Sequence, residues 1–369
     1  MLQKIEPHGS SPQGDEERNA SRLEGVDSAA VQPESPSTQT FSNQEGCPAF
    51  RTMIGGQALL EGIMMRGPKK QAIVVRKPDG DTEVKVEELK LVKDRHPVLG
   101  IPFLRGCVSF LDSMVKGVKA LMWSAEFYPE EEDETPSEPS KFDQWLEKKL
   151  GNEKAMSVVI TLSVVLGIAF SIGLFILLPT ALTSGVLYFF PGTPLWVQNV
   201  LEGVAKVVIF TAYLMLCSHL KEIKRTFSYH GAEHKTIFCY ERRLPLTVEN
   251  VRNMPRHHPR CGTSFLFVVI IVSILASSVV FALPAIRAIA TNVFVRMGMH
   301  LILLPIVVGV TYEINRWVGR HDNAFTRIIA APGLWMQNWT TFEPDDSMIE
   351  VAIEALELVL PDKAGEDAW

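Results

Sequence analysis

The chain has 369 residues, a formal net charge of −6 and 21% charged residues, yet its mean hydropathy is positive. Such a composition requires the apolar residues to be gathered into long runs, which is typical of membrane spans. The five scattered cysteines contain no CxxC pair and argue against a disulfide framework, and no basic-aromatic pattern indicates a nucleic-acid partner.

Two polar segments are predicted to lie outside the folded parts of the chain. Residues 1–48 are rich in Ser, Gln, Glu, Pro and Gly and have almost no aromatic residue to bury, so the sequence predicts a disordered tail. Residues 129–141 are predicted to be an acidic linker, which also carries Pro and Ser.

Between these segments, residues 49–128 are predicted to form a cytoplasmic α+β unit. Ile54–Pro68 has four glycines among apolar residues, which favours tight turns or a close approach of the backbone to another group. Ala72–Arg76 and Thr82–Val86 flank a Pro-Asp-Gly turn and predict two short strands. Phe103–Tyr128 has apolar residues at helical spacing, and this helix is expected either to pack on the β unit or to lie in the membrane interface.

Four apolar segments are predicted to cross the membrane. They are residues 155–178, 200–219, 263–285 and 298–314. Pro179 is expected to close the first span, and in the second span Glu202 and Lys206 lie at i and i+4 and can pair. Glu313, near the end of the fourth span, has Arg316 as a nearby partner. The predicted fold is therefore mainly α: a polytopic membrane protein with about four transmembrane helices, a small N-terminal β unit and cytoplasmic helices.

Positive charge is distributed unevenly among the connections between the predicted spans. Residues 220–262, between the second and third spans, carry nine Lys or Arg, whereas the first connection carries none and the third carries two. The positive-inside rule therefore places residues 220–262 and both termini in the cytoplasm, with the spans in the inner (plasma) membrane. The lipid bilayer is thus the expected partner, and a membrane protein is a further candidate partner. The sequence predicts no oligomeric state.

Residues 315–369 are predicted to be a cytoplasmic C-terminal segment. Pro and Gly mark its part Ala331–Asp345, which also contains two Trp. An amphipathic helix is predicted from about Asp346 to Leu360. Because this helix is acidic, it is expected to pack on the protein rather than on an anionic membrane.

The densest group of reactive side chains lies in the predicted helical stretch Tyr229–Glu241. Within it, His230, Glu233 and His234 follow the order H-x-x-E-H, in which two histidines bind zinc and the glutamate activates the bound water. The sequence therefore predicts His230 and His234 as ligands of a divalent metal, zinc in first place, and Glu233 as the general base. The alternative is that the histidines are surface residues near lipid headgroups.

A second cluster, His257–Cys261, lies in the same connection. Cys261 or His258 is predicted to supply a third ligand, which would leave a fourth position open for water. The two clusters are thus predicted to be the two halves of one site.

Three charged residues near these clusters have two interpretations each. Glu241 is a further candidate ligand, or else an ordinary surface pair with Arg242. Arg256 and Arg260 could bind a phosphate or lipid headgroup, but positive-inside topology alone also explains them.

Five stretches, in order along the chain, form a pattern that is far more specific than any one motif. They are Gly55–Pro68, Tyr229–Thr236, His258–Phe265, Tyr312–Glu313 and Thr340–Asp345. Together they resemble the YqhQ-like family of bacterial membrane proteins, which is described as predicted metal-dependent enzymes. The resemblance implies no substrate. The metal-site residues that it implies are His230, Glu233, His234, His258 and Cys261.

The leading functional hypothesis is a metal-dependent enzyme, a hydrolase, with its site at the cytoplasmic face of the membrane. The alternative is a non-enzymatic membrane scaffold or biogenesis factor that binds a protein partner through the cytoplasmic motifs. Transport is the weakest hypothesis, because two of the spans carry no charge. We also expect residues 220–262 to contact Gly55–Pro68 and Thr340–Asp345, because each stretch has polar residues without a role inside the stretch itself.

Overall fold

The computed structural model of the chain describes residues 50–89, 97–128, 152–289, 293–321, 323–363 and 365–368. The predicted tail, residues 1–48, and the predicted acidic linker, residues 129–141, lie outside this part of the chain.

The small β unit is an antiparallel sheet whose described strands have the order β1-β2-β3-β4. They are β1 Gly55–Leu59, β2 Gly62–Arg66, β3 Lys70–Arg76 and β4 Thr82–Glu88. The two predicted strands are β3 and β4, and Gly80 in their turn has a φ of +95°, which glycine tolerates best. The glycine-rich stretch before them, expected to make tight turns or a close backbone approach, forms the β1–β2 hairpin around a turn at residues 60 and 61. Glycine permits this close pairing, since a Cβ on Gly56 of β1 would lie 2.6 Å from the Met64 carbonyl oxygen of β2.

The described helices make up most of the remaining chain. They are α1 Leu104–Ala125, α2 Asn152–Ile172, α3 Leu178–Phe189, α4 Leu195–Cys217, α5 Lys221–Glu241, α6 Val248–Arg252, α7 Gly262–Ala282, α8 Pro284–Ile289, α9 Val293–Arg320, α10 Ala324–Thr340 and α11 Asp346–Glu357. A 3₁₀ turn over Pro97–Gly100 precedes α1, and a π turn over Gly173–Leu177 joins α2 to α3.

Four helical segments in the described part of the chain are long and apolar enough to cross a membrane. They are Leu162–Phe189, Trp196–Cys217, Phe265–Ala282 and Gly298–Arg320. The prediction of a mainly α fold with about four spans and a small N-terminal sheet is confirmed. The helix of the first predicted span does not end at Pro179, which was expected to close it. Pro179 follows the π turn and lies in the first turn of α3, where a missing N–H is tolerated, so the helix continues to Phe189.

Helix α10 occupies most of the segment Ala331–Asp345, which Pro and Gly mark in the sequence. The helix runs through Pro332, and a capping box between Asn323 and Thr326 satisfies its first turn. It packs on α7 and buries Met336 almost completely. This packing offsets the backbone hydrogen bond that Pro332 cannot make.

Ion pairs join helices within and beside the spans. Glu202 binds Lys206 at 3.0 Å, as predicted. Glu313 was expected to pair with Arg316, but Nε of Arg105 in α1 donates to its Oε1 at 2.7 Å. Arg105 takes the place of the predicted partner, Arg316, because α1 packs closely on α9 and places Arg105 beside the Glu313 carboxylate.

Helix α1 contacts both the sheet and a span. Gly106 lies against α9, where a Cβ would be 2.7 Å from Tyr312 Cβ, and Gly117 lies against Gln57 of β1. Of the two alternatives for this helix, packing on the β unit is thus observed. Its other face exposes a row of large apolar side chains, which leaves room for contact with lipid as well. These are Leu111, Met114, Val115, Val118 and Met122.

One hydrophobic core joins three separated parts of the chain. The sheet contributes Ile63 and Val74, α5 contributes Tyr229, and α11 contributes Ile349 and Leu356, all fully buried. Parts that share a core lie on one side of the membrane, so an even number of crossings must separate them. Two candidate spans lie between the sheet and α5, and two between α5 and α11. Helix α11 shares this core and thus packs on the protein, as predicted.

Candidate metal centre

Helix α5 carries the H-x-x-E-H motif through the middle of this folded unit. Its helical spacing places the rings of His230 and His234 one turn apart, with their centroids separated by 4.3 Å. The Phe342 N–H donates to the Phe227 carbonyl oxygen at 3.0 Å and holds the backbone after α10 against the helix. Gly231 permits this contact, because a Cβ there would lie 2.0 Å from the Phe342 carbonyl oxygen. The glycine inside the motif is therefore required by packing.

Cys261 and the two histidines form a group of three candidate ligands. The Cys261 Sγ lies 3.2 Å from His230 Nε2, and one ligand atom from each of the three residues lies within 4.8 Å of the others. A common point therefore exists within about 3 Å of all three atoms, compared with zinc–nitrogen and zinc–sulfur bonds of about 2.0 and 2.3 Å. A slight closure would bring this group to zinc-binding distances.

Backbone carbonyl groups orient both imidazole rings. His230 Nδ1 lies 2.8 Å from the Thr340 carbonyl oxygen, and His234 Nδ1 lies 2.6 Å from the Arg256 carbonyl oxygen. Because a carbonyl oxygen only accepts, each Nδ1 carries a proton and each Nε2 is directed away from these partners. His234 Nε2 is buried and has no hydrogen-bond partner among the described residues. A metal ion would satisfy such a nitrogen, so the donor set fits a divalent cation.

The charges of the three residues also fit a cation. Burial alone would raise the pKa of Cys261, but the neighbouring His230 and His234 hold that pKa well below its usual range. Burial lowers the pKa of His230, but the charge and hydrogen bond of Cys261, the charge of Glu233 and the Thr340 carbonyl together raise that pKa to about 9. The thiolate of Cys261 is thus favoured, and the thiolate is the form that binds metals, while His230 would release its Nε2 proton on binding one.

Glu233 lies beside this group and is anchored at one oxygen only. Its Oε1 accepts a hydrogen bond from the Gly56 N–H of β1 at 2.9 Å, while Oε2 is buried without a partner among the described residues. Burial raises the pKa of Glu233, although the two histidines of the motif oppose the increase. A carboxyl group with a raised pKa and a free oxygen is suited to accept a proton near neutral pH.

His258, the other predicted ligand of the second cluster, lies outside the group of three. Its Nε2 is 3.6 Å from Glu241 Oε2. Gln337 holds its backbone, since the His258 N–H donates to Oε1 at 2.7 Å and its carbonyl oxygen accepts from Nε2 at 2.8 Å. Glu241 binds Arg260 and contacts His258 rather than pairing with Arg242, and it lies outside the group of three. These residues form a buried polar network next to the candidate metal centre.

Arg256 and Arg260, considered as headgroup ligands, both have partners inside the protein. Arg256 Nη1 donates to the Thr341 carbonyl oxygen at 2.9 Å, and Arg260 binds Glu241. The positive charges of this cluster therefore stabilise the fold of the connection itself.

The expected convergence of three distant stretches is confirmed. Glu233 receives the Gly56 N–H from the first stretch, and His230 contacts the Thr340 carbonyl oxygen from the last. Lys235 adds an ion pair with Glu343 at 2.5 Å. The site is thus built from parts that lie far apart in the sequence.

The sequence did not reveal three groups that shape the site. The carbonyl groups of Thr340 and Arg256 orient the histidines, and a backbone carbonyl leaves no signal in a sequence. Gln337 differs from these carbonyl groups, because an uncharged polar residue among apolar neighbours is visible in the sequence. The structure buries it completely in α10. Its two hydrogen bonds to His258 satisfy that burial.

The buried His258 makes stability depend on pH. Burial lowers the pKa of His258 from 6.5 to about 4, although its hydrogen bond to Glu241 opposes the shift. The unfolded chain therefore binds a proton more readily than the folded protein between these values, so stability decreases as the pH falls from 6.5 towards 4. We expect the midpoint of thermal unfolding in detergent to fall over this range, and to fall less in His258→Asn. An equal decrease in both proteins would contradict this assignment.

A cavity of about 680 Å³ opens onto the candidate metal centre. Its lining includes β1 residues and those before them, Thr52–Ala58, together with His230, His234 and Cys261. Apolar side chains from the ends of three helices extend this lining, and they are Leu214, Leu266 and Met336. A cavity of this size can hold a ligand in contact with the three candidate ligands of the metal.

A family model described as "Protein of unknown function (DUF1385)" matches residues 101–362. The chain belongs to this family. The uncharacterised protein YqhQ of Bacillus subtilis (strain 168) is 34% identical over 313 residues, which cover 83% of this chain and 92% of that protein. The resemblance to YqhQ-like membrane proteins is thus confirmed. No solved structure matches the chain. Both histidines of the motif and Cys261 lie within the part that matches DUF1385.

Proposed function

We propose that the chain is a metal-dependent hydrolase of the bacterial inner membrane, with His230, His234 and Cys261 as ligands of a divalent metal, zinc in first place. The observation that carries the proposal is the group of three ligand atoms within 4.8 Å of one another. Two carbonyl groups hold the histidine rings, and the Nε2 of His234 has no hydrogen-bond partner among the described residues. Three protein ligands with an open fourth position are typical of catalytic rather than structural zinc sites.

A bound zinc ion would supply Lewis acidity and lower the pKa of a water molecule in the open position. Glu233 is the group of this chain that would accept a proton from that water. Its Oε1 is held by the Gly56 N–H and its Oε2 is free of protein partners in the described part of the chain. The anchored carboxylate therefore keeps one oxygen for proton transfer.

The proposed location is the cytoplasmic face of the membrane. The connection that contains α5 carries nine Lys or Arg, and the positive-inside rule assigns such a connection to the cytoplasm. The sheet and α11 share a core with α5, so both termini would lie on the same side. The bilayer would then contact the four apolar helices and the exposed apolar face of α1.

Metal analysis of the purified protein tests the proposal. We expect close to one equivalent of zinc in the wild type and almost none in a His230→Ala, His234→Ala double variant, because two of three ligands are removed. The matched control is His258→Ala, which removes a nearby histidine outside the ligand group and should keep the metal. Equal and negligible metal in all three proteins would eliminate the proposal.

The second candidate is a non-enzymatic scaffold or membrane-protein biogenesis factor. The exposed apolar face of α1 favours it, because a protein partner would cover that face as well as lipid would. A partner that co-purifies in mild detergent and stays bound after Glu233→Gln would support this candidate over the hydrolase.

A further inference from the structure

The cavity beside the candidate metal centre extends to two of the candidate spans. Leu214 lies in the last turn of the span Trp196–Cys217, and Leu266 lies in the first turn of the span Phe265–Ala282. These are the two span ends that residues 218–264 connect, and this connection includes α5 with its two histidines. The lining of the cavity therefore runs from the candidate ligands to the surface of the membrane.

Two further helices that line the cavity expose large apolar side chains. Helix α1 contributes Ser113 to the lining and carries the exposed apolar row that begins at Leu111. Helix α10 contributes Met336 and exposes three apolar side chains at helical spacing. These are Phe325, Ile328 and Trp335. Helices with an exposed apolar stripe are typical of the membrane interface, where tryptophan is also enriched. Two spans and two amphipathic helices around the cavity are thus suited to contact lipid.

The charged side chains of the cavity lining offer little attraction to an anionic ligand. The lining contains Arg66 and Arg260, and each is already paired with a carboxylate group. A divalent metal in the centre would be balanced in turn by the Glu233 carboxylate and the Cys261 thiolate, which also line the cavity. The described lining therefore favours an uncharged polar group over an anionic one.

The apolar residues at the span ends favour a ligand that comes from the bilayer. Exposing an acyl chain to water is strongly unfavourable, because each methylene group adds to the cost. A chain that passes from the lipid to Leu214 and Leu266 avoids this exposure, so only the polar head has to leave the bilayer. The volume of about 680 Å³ is large enough for such a head with the first part of its chain.

We propose that the cavity binds an acyl-chain lipid with an uncharged head, which enters from the bilayer and places its acyl ester group at the candidate metal centre. Its chain lies against Leu214 and Leu266. Its cleavage, though not its binding, rests on the hydrolase proposed above. Water would add to the ester carbonyl carbon and form a C–O bond as the C–O bond to the alcohol breaks. Glu233 would pass the proton of that water to the leaving alcohol oxygen, so that a fatty acid and an alcohol are released.

The proposal is tested with diolein that carries a photoreactive diazirine in one acyl chain, offered to the full-length protein in phosphatidylcholine nanodiscs. Only labelling of cavity-lining peptides that excess unlabelled diolein displaces is counted. Leu214→Trp fills the apolar end of the cavity, so we expect roughly tenfold less displaceable labelling than in the wild type. The matched control is Leu216→Trp, since Leu216 lies on the same helix, is 72% exposed and is not among the described residues that line the cavity.

Two further arms make the result decisive. Leu266→Trp should also lose displaceable labelling, whereas Leu275→Trp, at a position of α7 that is 61% exposed, should keep it. This pair repeats the test on a second helix, so a folding defect in one variant does not decide the outcome. A phosphatidylglycerol probe with the same diazirine chain should label the cavity of the wild type less than the diolein probe does, which tests the charge of the head without any change to the protein.

The His230→Ala, His234→Ala variant separates binding from cleavage. It should keep the displaceable labelling and release no fatty acid, whereas the wild type with zinc should show both. Labelling of the wild type without release of fatty acid would contradict the hydrolase and leave the lipid site in place. Equal labelling of the cavity-filling variants and their controls, stronger labelling by the phosphatidylglycerol probe, or no displaceable labelling would overturn the lipid site.

Discussion

Gly231→Ala is expected to destabilise the protein by about 3 kcal/mol and to abolish metal binding. An added Cβ would lie 2.0 Å from the Phe342 carbonyl oxygen, and a backbone atom cannot rotate away as a side chain can. The segment after α10 would have to move, and the Thr340 carbonyl that orients His230 would move with it. Thermal unfolding and zinc analysis of the same preparation measure both effects.

The expected loss of stability is informative because Gly→Ala substitutions in helices usually have the opposite effect. In an exposed helix, replacing glycine by alanine stabilises by about 1 kcal/mol, because the unfolded chain loses freedom. Gly167 lies inside α2 with nothing within 4 Å of its added Cβ, so Gly167→Ala is the matched control and should be neutral or stabilising. If Gly231→Ala behaved like this control, the close contact between α5 and Phe342 would not exist.

Arg260→Met is expected to cost about 3 to 5 kcal/mol of stability, because it leaves the carboxylate of Glu241 buried without its cation. The Glu241 side chain is only 8% exposed, and its pKa is lowered by Arg260 and by its hydrogen-bonding neighbours despite the opposing effect of burial. Thermal or denaturant unfolding in detergent measures the loss.

The double variant Arg260→Met, Glu241→Gln separates charge from shape. The amide oxygen of Gln can still accept the Thr52 N–H, which Glu241 accepts at 3.0 Å in the wild type. Because no buried charge remains, we expect the double variant to recover most of the stability lost in the single one. Equal losses in both variants would mean that Arg260 acts through packing alone.

The general architecture could be predicted from the sequence because hydropathy and charge act over long runs of residues. Four apolar segments and one basic connection suffice to predict that α5 and the two ends of the folded chain lie on the same side of the membrane. The group of candidate ligands was predictable in part, since helical spacing places His230 and His234 on one face of α5. Cys261 and His258 were equally good candidates for the third ligand, and only their three-dimensional positions separate them.

The errors have local causes. Pro179 lies inside a continuous helical segment, directly after a π turn, rather than at its end. The partner of Glu313 was assigned to the nearest arginine in sequence, whereas the actual partner is Arg105, 208 positions away. Contacts between residues far apart in the sequence depend on how closely two backbones approach each other, as at Gly231. The spacing of residues along the chain does not predict that approach.

The dependence of His230 on the Thr340 carbonyl has a consequence for the timing of synthesis. These two residues lie 110 positions apart, with the third and fourth candidate spans between them. While the ribosome is still making those spans, the thiol and the imidazoles of the motif lack the carbonyl, the α10 backbone and the α11 core that fix them. The group of candidate ligands is therefore complete only after α10 and α11 have been synthesised.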